Sequence, residues 1–173
     1  MRLYVYHLNQ CNPKRCTAKK LERFKVVKLF RDLKKVPKGG ILLDPYVKER
    51  LSMKDRNKAE RRGIVTVDCS WENAKKEFFS LRSMFKPRSL PYLLSVNPTN
   101  FGKPYILSSV EAFSSALYIL DFVESAEKIL SGFKWGENFI KLNRELLESY
   151  RGAKSSEEVL RIEKDIIEEI ISK

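Results

Sequence analysis

The chain has 173 residues, 43% hydrophobic and 32% charged, with seven glycines and seven prolines, which excludes a disordered or fibrous chain and suits one globular domain or two small ones sharing a core. Its net charge of +12 is segregated: residues 1–90 hold 24 Lys and Arg against 9 Asp and Glu, residues 91–173 hold 10 against 13, and such an imbalance marks a polyanion-binding half rather than a solvated surface of mixed sign. Three cysteines, no apolar stretch of the roughly 18 residues a membrane span needs and no signal region in MRLYVYHLNQ lead to the expectation of a cytoplasmic protein that does not enter a membrane.

In chain order, LYVYHL at 3–8 is a nearly continuous apolar run, as in a strand buried on both faces. Thr17 can cap a helix through AKKLERFKVVKLFRDLKK, although Val26 and Val27 weaken the pattern, and Pro37, Gly39 and Gly40 stop it. GGILLDP is a second buried strand and IVTVDC at 64–69 a third. Between them, Ser52 and Asp55 have N-cap spacing and Gly63 stands where a C-cap belongs. VDCSWENAKKEF ends the third strand and begins a helix. The period then changes: SSVEAFSSALYILDFVESAEKILSG carries a Ser108 to Glu111 capping box and reads as one helix, and ENFIKLNRELLESY and SSEEVLRIEKDIIEEIISK read as two more. The layout predicts an α/β domain over 1–90 and an all-helical domain over 91–173.

His7, Asn9, Asp44, Asp68, Ser70 and Trp71 all follow the ends of predicted buried strands. In an open parallel sheet, ligands bind beyond the carboxyl ends of the strands, so these groups converge on one crevice. Each has a plainer reading. His7, Cys11 and Cys16 in H-x3-C-x4-C lack a fourth metal ligand, and a buried His with small apolar thiols is the expectation, with no metal. Asp68 is either a helix cap, a partner for a Lys, or a catalytic carboxylate. Trp71 and Trp135 are packing residues or ligand contacts, and NPTNFGKP at 97–104 is a connecting loop or one wrapped around a ligand.

Four ordered stretches resemble one family. QCNPKRCTAKKL is similar to its H/Q-C-D-P-K-x-C-S/T-G/A-K-K-L, VDCSW to its D-C-S-W, LPYLLSVNPTNFGKPYILSSVEAFSSALYILDF to its L-P-x-L-x-A-A-N-P-V-N-Y-G-x-P pattern and the helix after it, and FKWGENFIKLNRELLESY to its F-x-W-G-x-x-F-x-x-x-N-x-x-L-L-x-x-Y. These are motifs of the ribosomal RNA aminocarboxypropyltransferases. Asn12, Ala18, Ser95, Val96 and Thr99 depart from the usual residues, and Asn12 puts any acidic role at its position in doubt.

The resemblance implies a cytoplasmic enzyme that moves the 3-amino-3-carboxypropyl group of S-adenosylmethionine (SAM) to N3 of a hypermodified pseudouridine in small-subunit rRNA. It also implies a SPOUT-like parallel sheet with a trefoil knot, followed by helices, and a monomer. Knots are too rare for any periodicity to predict one. The helix start at Thr17 would receive the SAM carboxylate, and Leu43, Pro45, Leu90, Leu93 and Tyr105 would line an adenine slot. Trp71 and Ala74 match the positions that hold the methyl group, and Asp68 would take the N3 proton. Arg15, Lys19, Lys20, Arg82 and Arg88 are the expected RNA contacts, with Lys54, Arg56 and Arg61 nearby. Two alternatives remain: an RNA methyltransferase of the same fold, and a non-catalytic rRNA-binding assembly factor.

Overall fold

The computed structural model describes residues 1–10, 12, 15–69 and 71–172; the side chains of residues 71–73 lie outside that description. Its centre is a parallel sheet of five strands, β1 (Leu3–His7), β2 (Lys28–Phe30), β3 (Ile41–Leu43), β4 (Ile64–Asp68) and β5 (Lys86–Arg88), in the order β2-β1-β4-β3-β5. The strands that read as apolar runs, β1, β3 and β4, are the three inner ones. Each alternates its side chains between two cores. Leu3, Val5, Ile41, Leu43 and Ile64 face one, and Tyr4, Leu42, Val65 and Val67 face the other.

The second core is closed by Phe78 and Leu81 of α3 (Trp71–Leu81), with Val36 and Phe85. The first is larger, and it includes Ala18 and Leu21 of α1 (Thr17–Arg23) and Ala59 of α2 (Arg56–Arg62). It continues without a break into the second half of the chain. There α4 (Ser109–Ile119), α5 (Val123–Leu130), α6 (Gly136–Tyr150) and α7 (Ser156–Ile171) contribute Phe113, Leu117, Ile129, Phe139, Leu147 and Val159. The helical half is therefore packed on the sheet through one common core.

Two expectations are corrected, and one strand was not expected. The first helix stops at Arg23: Phe24 caps it, Lys25 turns left-handed at φ 58°, and the chain re-enters the sheet as β2, where the β-branched Val26 and Val27 precede the strand. The long helix after Ser108 is two helices, broken where Asp121 takes φ 65°. And β5 has the sequence KPR, without an apolar signal. As an edge strand it tolerates Pro87, and it is fixed by ion pairs from Lys86 and Arg88 to the buried Asp55, both at 2.9 Å. Both expected capping boxes, Ser52 with Asp55 and Ser108 with Glu111, are present. Gly63 ends α2 at φ 87°, where a Cβ would stand 2.7 Å from the Arg2 carbonyl oxygen.

Candidate functional site

Parallel pairing in register sets His7 beside Asp68 at the carboxyl ends of β1 and β4. Cys16, which caps α1, reaches the same point. Its Sγ lies 3.4 Å from His7 Nε2, and its thiol donates to Asp68 Oδ2 at 3.3 Å. His7 Nδ1 accepts the Asn9 N–H at 3.0 Å, which places the ring proton on Nε2, towards Cys16 and Asp68. Burial lowers the His7 pKa more than the neighbouring Asp68 raises it, and Lys19 and Arg31 lower it further, so the ring is held neutral. A His, a Cys and a carboxylate within 4.8 Å of one another also form a donor set for zinc, but their hydrogen bonds already run in one consistent direction to Asp68. Burial first, and then Asp68 and Glu77, push the Cys69 thiol up to about 11, so it is no thiolate nucleophile at neutral pH. Asp68 is the group in this cluster suited to accept a proton.

Two cavities meet at this strand end. The smaller, about 260 Å³, is an apolar slot lined by Leu43 and Pro45 after β3, Ala74 and Phe78 of α3, Leu90, and Tyr105. The larger, about 1040 Å³, is a basic cleft lined by Arg15, Lys19, Lys20 and Arg23, by the 97–100 loop, and by Phe133 and Trp135. Val67, Cys69, Leu107 and Ser109 line both. Asp68 lines the cleft between Val67 and Cys69, at the border with the slot, and Thr17 lines the cleft at the start of α1.

The walls are fixed from the helical half. Glu111 of α4 is fully buried and accepts from the N–H groups of Val96, Asn97 and Ser108 at 2.8, 3.0 and 2.8 Å, and from Asn97 Nδ2 at 2.7 Å. Asn97 Oδ1 then accepts the N–H groups of Thr99 and Asn100, both at 3.1 Å, which shapes the cleft loop. Glu163 of α7 does the same for the slot. It binds Arg50 through Nε at 2.7 Å and Nη2 at 3.2 Å, and accepts the Tyr92 N–H at 2.8 Å and the Tyr105 hydroxyl at 3.1 Å. Burial, and next the adjacent Glu163, push the Tyr105 pKa up to about 12, so this hydroxyl stays a donor.

The structure brings together most of the expected site. Leu43, Pro45, Ala74, Leu90 and Tyr105 share the slot, and Thr17, Asp68, Arg15, Lys19 and Lys20 share the cleft. Leu93 lines neither cavity: it is fully buried, and its carbonyl accepts the Tyr105 N–H at 3.1 Å. Trp71 opens α3 beside the junction, but its side chain, like Ser70 and Cys11, lies outside the described residues. Arg82 and Arg88 do not line the cleft: Arg82 binds the buried Asp44 at 2.8 Å and Arg88 binds the buried Asp55 at 2.9 Å. Sequence reasoning missed Arg23, although its helical spacing from Lys19 and Lys20 puts it on their face, and it missed the positioning roles of Cys16 and Glu163.

Residues 41–167 match the family described as "Ribosome biogenesis protein, C-terminal". The chain is 46% identical over 166 residues to the 16S rRNA aminocarboxypropyltransferase of Methanosarcina mazei, covering 95% of this chain and 94% of that one. It is 48% identical over 165 residues to that of Methanopyrus kandleri, covering 95% and 98%. The solved structure of the SAM-dependent rRNA:acp-transferase Tsr3 from Vulcanisaeta distributa is similar with a TM-score of 0.85 at 44% identity, over 91% of this chain and 86% of that one. Residues 1–34 also match a "Possible Fer4-like domain in RNase L inhibitor, RLI". An iron–sulfur cluster of that kind takes four thiolates, whereas this segment has Cys11 and Cys16 and the whole chain three cysteines, so the donors do not fit it.

Proposed function

The chain belongs to the 16S rRNA aminocarboxypropyltransferase family, and on that premise we propose that it transfers the 3-amino-3-carboxypropyl group of SAM to N3 of a hypermodified pseudouridine in small-subunit rRNA. The observation that carries the reading is the junction of an apolar slot with a basic cleft at Asp68. The slot has the lining for an adenine, and Thr17, at the first turn of α1, lies on the cleft side where a methionine carboxylate would meet backbone N–H groups. A donor lying across the junction would bring its side-chain carbons to Asp68, and Ala74 with Trp71 would occupy the methyl group's side. Which carbon reaches the RNA is then a matter of orientation.

The chain's own contribution is to hold and to take a proton. Asp68 accepts the N3 proton as the N3–Cγ bond forms and the Cγ–sulfur bond breaks, and the sulfonium leaves as neutral methylthioadenosine. Cys16, itself held by His7, fixes the Asp68 carboxylate. Arg15, Lys19, Lys20 and Arg23 bind phosphates, which positions the RNA without reading its sequence.

The same reading assigns the sheet half, 1–90, to SAM and RNA and the helical half, 91–173, to completing the SAM site, as the slot's Pro91, Tyr105 and Ala112 suggest. It includes a SPOUT-like trefoil knot, for which the parallel order β2-β1-β4-β3-β5 is supporting ground, and a monomer acting in the cytoplasm without a resident metal. The deciding experiment supplies small-subunit RNA from cells lacking the enzyme, with SAM labelled at either the methyl or the carboxyl carbon. Carboxyl label is expected in the RNA and methyl label in methylthioadenosine. Methyl label in the RNA would establish a methyltransferase instead, and transfer of neither label would leave an RNA-binding assembly factor.

A further inference from the structure

Two side chains of the F-x-W-G turn between α5 and α6 line the cleft. Phe133 is buried there, and Trp135 is half-buried, with ring centroids 5.3 Å apart and planes tilted by 46°. The Lys20 ammonium stands 4.6 Å from the Phe133 ring centroid. Two glycines set the turn in place. A Cβ on Gly132 would lie 2.4 Å from the Phe24 ring, and one on Gly136 would lie 2.2 Å from the Leu130 carbonyl oxygen, so the turn is pressed onto α5 and onto the end of α1. The aromatic pair is thus held rigidly on the wall that shares the cleft with Arg15, Lys19, Lys20 and Arg23.

A basic groove faced by a fixed aromatic surface is how proteins hold single-stranded RNA with its bases splayed out: cations follow the phosphates and a ring stacks on a base. The cleft's volume of about 1040 Å³ is at the upper end of the roughly 300–1,000 Å³ usual for a site taking one small ligand, so it has room beyond the base held at Asp68. We propose that Trp135, backed by Phe133, is a stacking platform for an unpaired nucleobase adjacent to the modified nucleotide. The inference rests on the reading of the cleft as the RNA site. It assigns to this turn the unstacking of the strand next to the target, so that the target base is presented at the strand ends. A stacked base also fixes which neighbour lies on each side of the target, without hydrogen-bond readout of its identity.

The test compares Trp135→Leu, which keeps apolar volume against the core but removes the flat ring, with Trp135→Phe, which keeps a smaller ring. Folding is checked by circular dichroism and melting, SAM affinity by calorimetry, and RNA affinity by filter retention of unmodified small-subunit RNA at several salt concentrations. Trp135→Leu is expected to weaken RNA binding roughly 5- to 100-fold, the range for one stacked base, with the salt slope and SAM affinity as in the wild type. Trp135→Phe is expected to recover most of that loss. RNA affinity unchanged in Trp135→Leu, or lost equally in both variants, would overturn the platform, as would a parallel loss of SAM affinity. Absence of carboxyl-label transfer by the wild type would defeat the proposed activity by itself, and the RNA-binding comparison would still decide the platform.

Discussion

Glu111 and Asn97 are joined by two hydrogen bonds, the carboxylate accepting both the Asn97 N–H at 3.0 Å and its side-chain amide at 2.7 Å. Asn97 in turn holds the N–H groups of Thr99 and Asn100, so one buried acid shapes the loop that lines the same cleft as Arg15. Glu111→Ala would leave several buried donors without an acceptor, and a loss of about 3–5 kcal/mol of stability is expected. Urea denaturation measures it. Asn97→Ala, which keeps Glu111 bonded to Val96 and Ser108, should cost less stability but still weaken RNA binding.

Asp68→Asn should lower the transfer rate by about 10² to 10⁴ while SAM still binds, because an amide cannot take the N3 proton. Single-turnover transfer with carboxyl-labelled SAM, beside calorimetry, reads the two effects separately. A fully active variant would reduce Asp68 to a structural acid held by Cys16.

Glu163→Gln should raise the Kd for SAM although residue 163 is on the last helix, since the carboxylate orients both Arg50 and Tyr105 on the slot. Tyr105→Phe, which leaves the Arg50 pair intact, should reproduce only part of the change. Calorimetric titration of both variants is the check.

RNA affinity should fall with salt, by a slope of about −0.7 per phosphate neutralised if the strand is single. Arg15→Ala and Arg23→Ala should each reduce that slope. Arg88→Ala should not, because its guanidinium already binds Asp55 at 2.9 Å; its effect should appear as a lower melting temperature.

His7 gives stability a pH dependence. Its native pKa lies below 6.5, with burial as the leading cause, so between the native value and 6.5 the unfolded chain holds a proton that the native protein does not. Stability from this group is complete above pH 6.5 and is lost as the pH falls through that window, at no more than about 1.4 kcal/mol per pH unit. Urea midpoints between pH 7.5 and 5.5 should fall less steeply in His7→Gln than in the wild type.

The inner strands were legible because a strand covered on both faces is apolar throughout, as in ILL and IVTVD. The edge strand KPR was not, because ion pairs to Asp55 hold it instead of apolar burial. The ion pairs of Arg82 and Arg88 were hidden in the same way: an arginine reads alike whether its partner is a phosphate or a buried carboxylate. Leu90 and Tyr105 were legible through the family motif that carries them, and Leu43 and Pro45 through their place at a buried strand's end. Cys16 looked like a small apolar thiol, and only in the fold does the start of α1 bring it to His7 and Asp68, which the register of β1 against β4 has paired. Glu163 was hidden for a similar reason, as one acid among several on an amphipathic helix.

The bond between Arg50 and Glu163 closes a loop of 113 residues. A ribosome adds about 5–20 residues per second, so Arg50 waits roughly 6–23 s for its partner to be synthesised. For that interval the sheet can form, but the slot's Arg50 and Tyr105 lack the acid that orients them. The apolar slot is therefore a late product of synthesis, and a nascent chain stopped before α7 would carry its basic cleft beside a slot still unfinished.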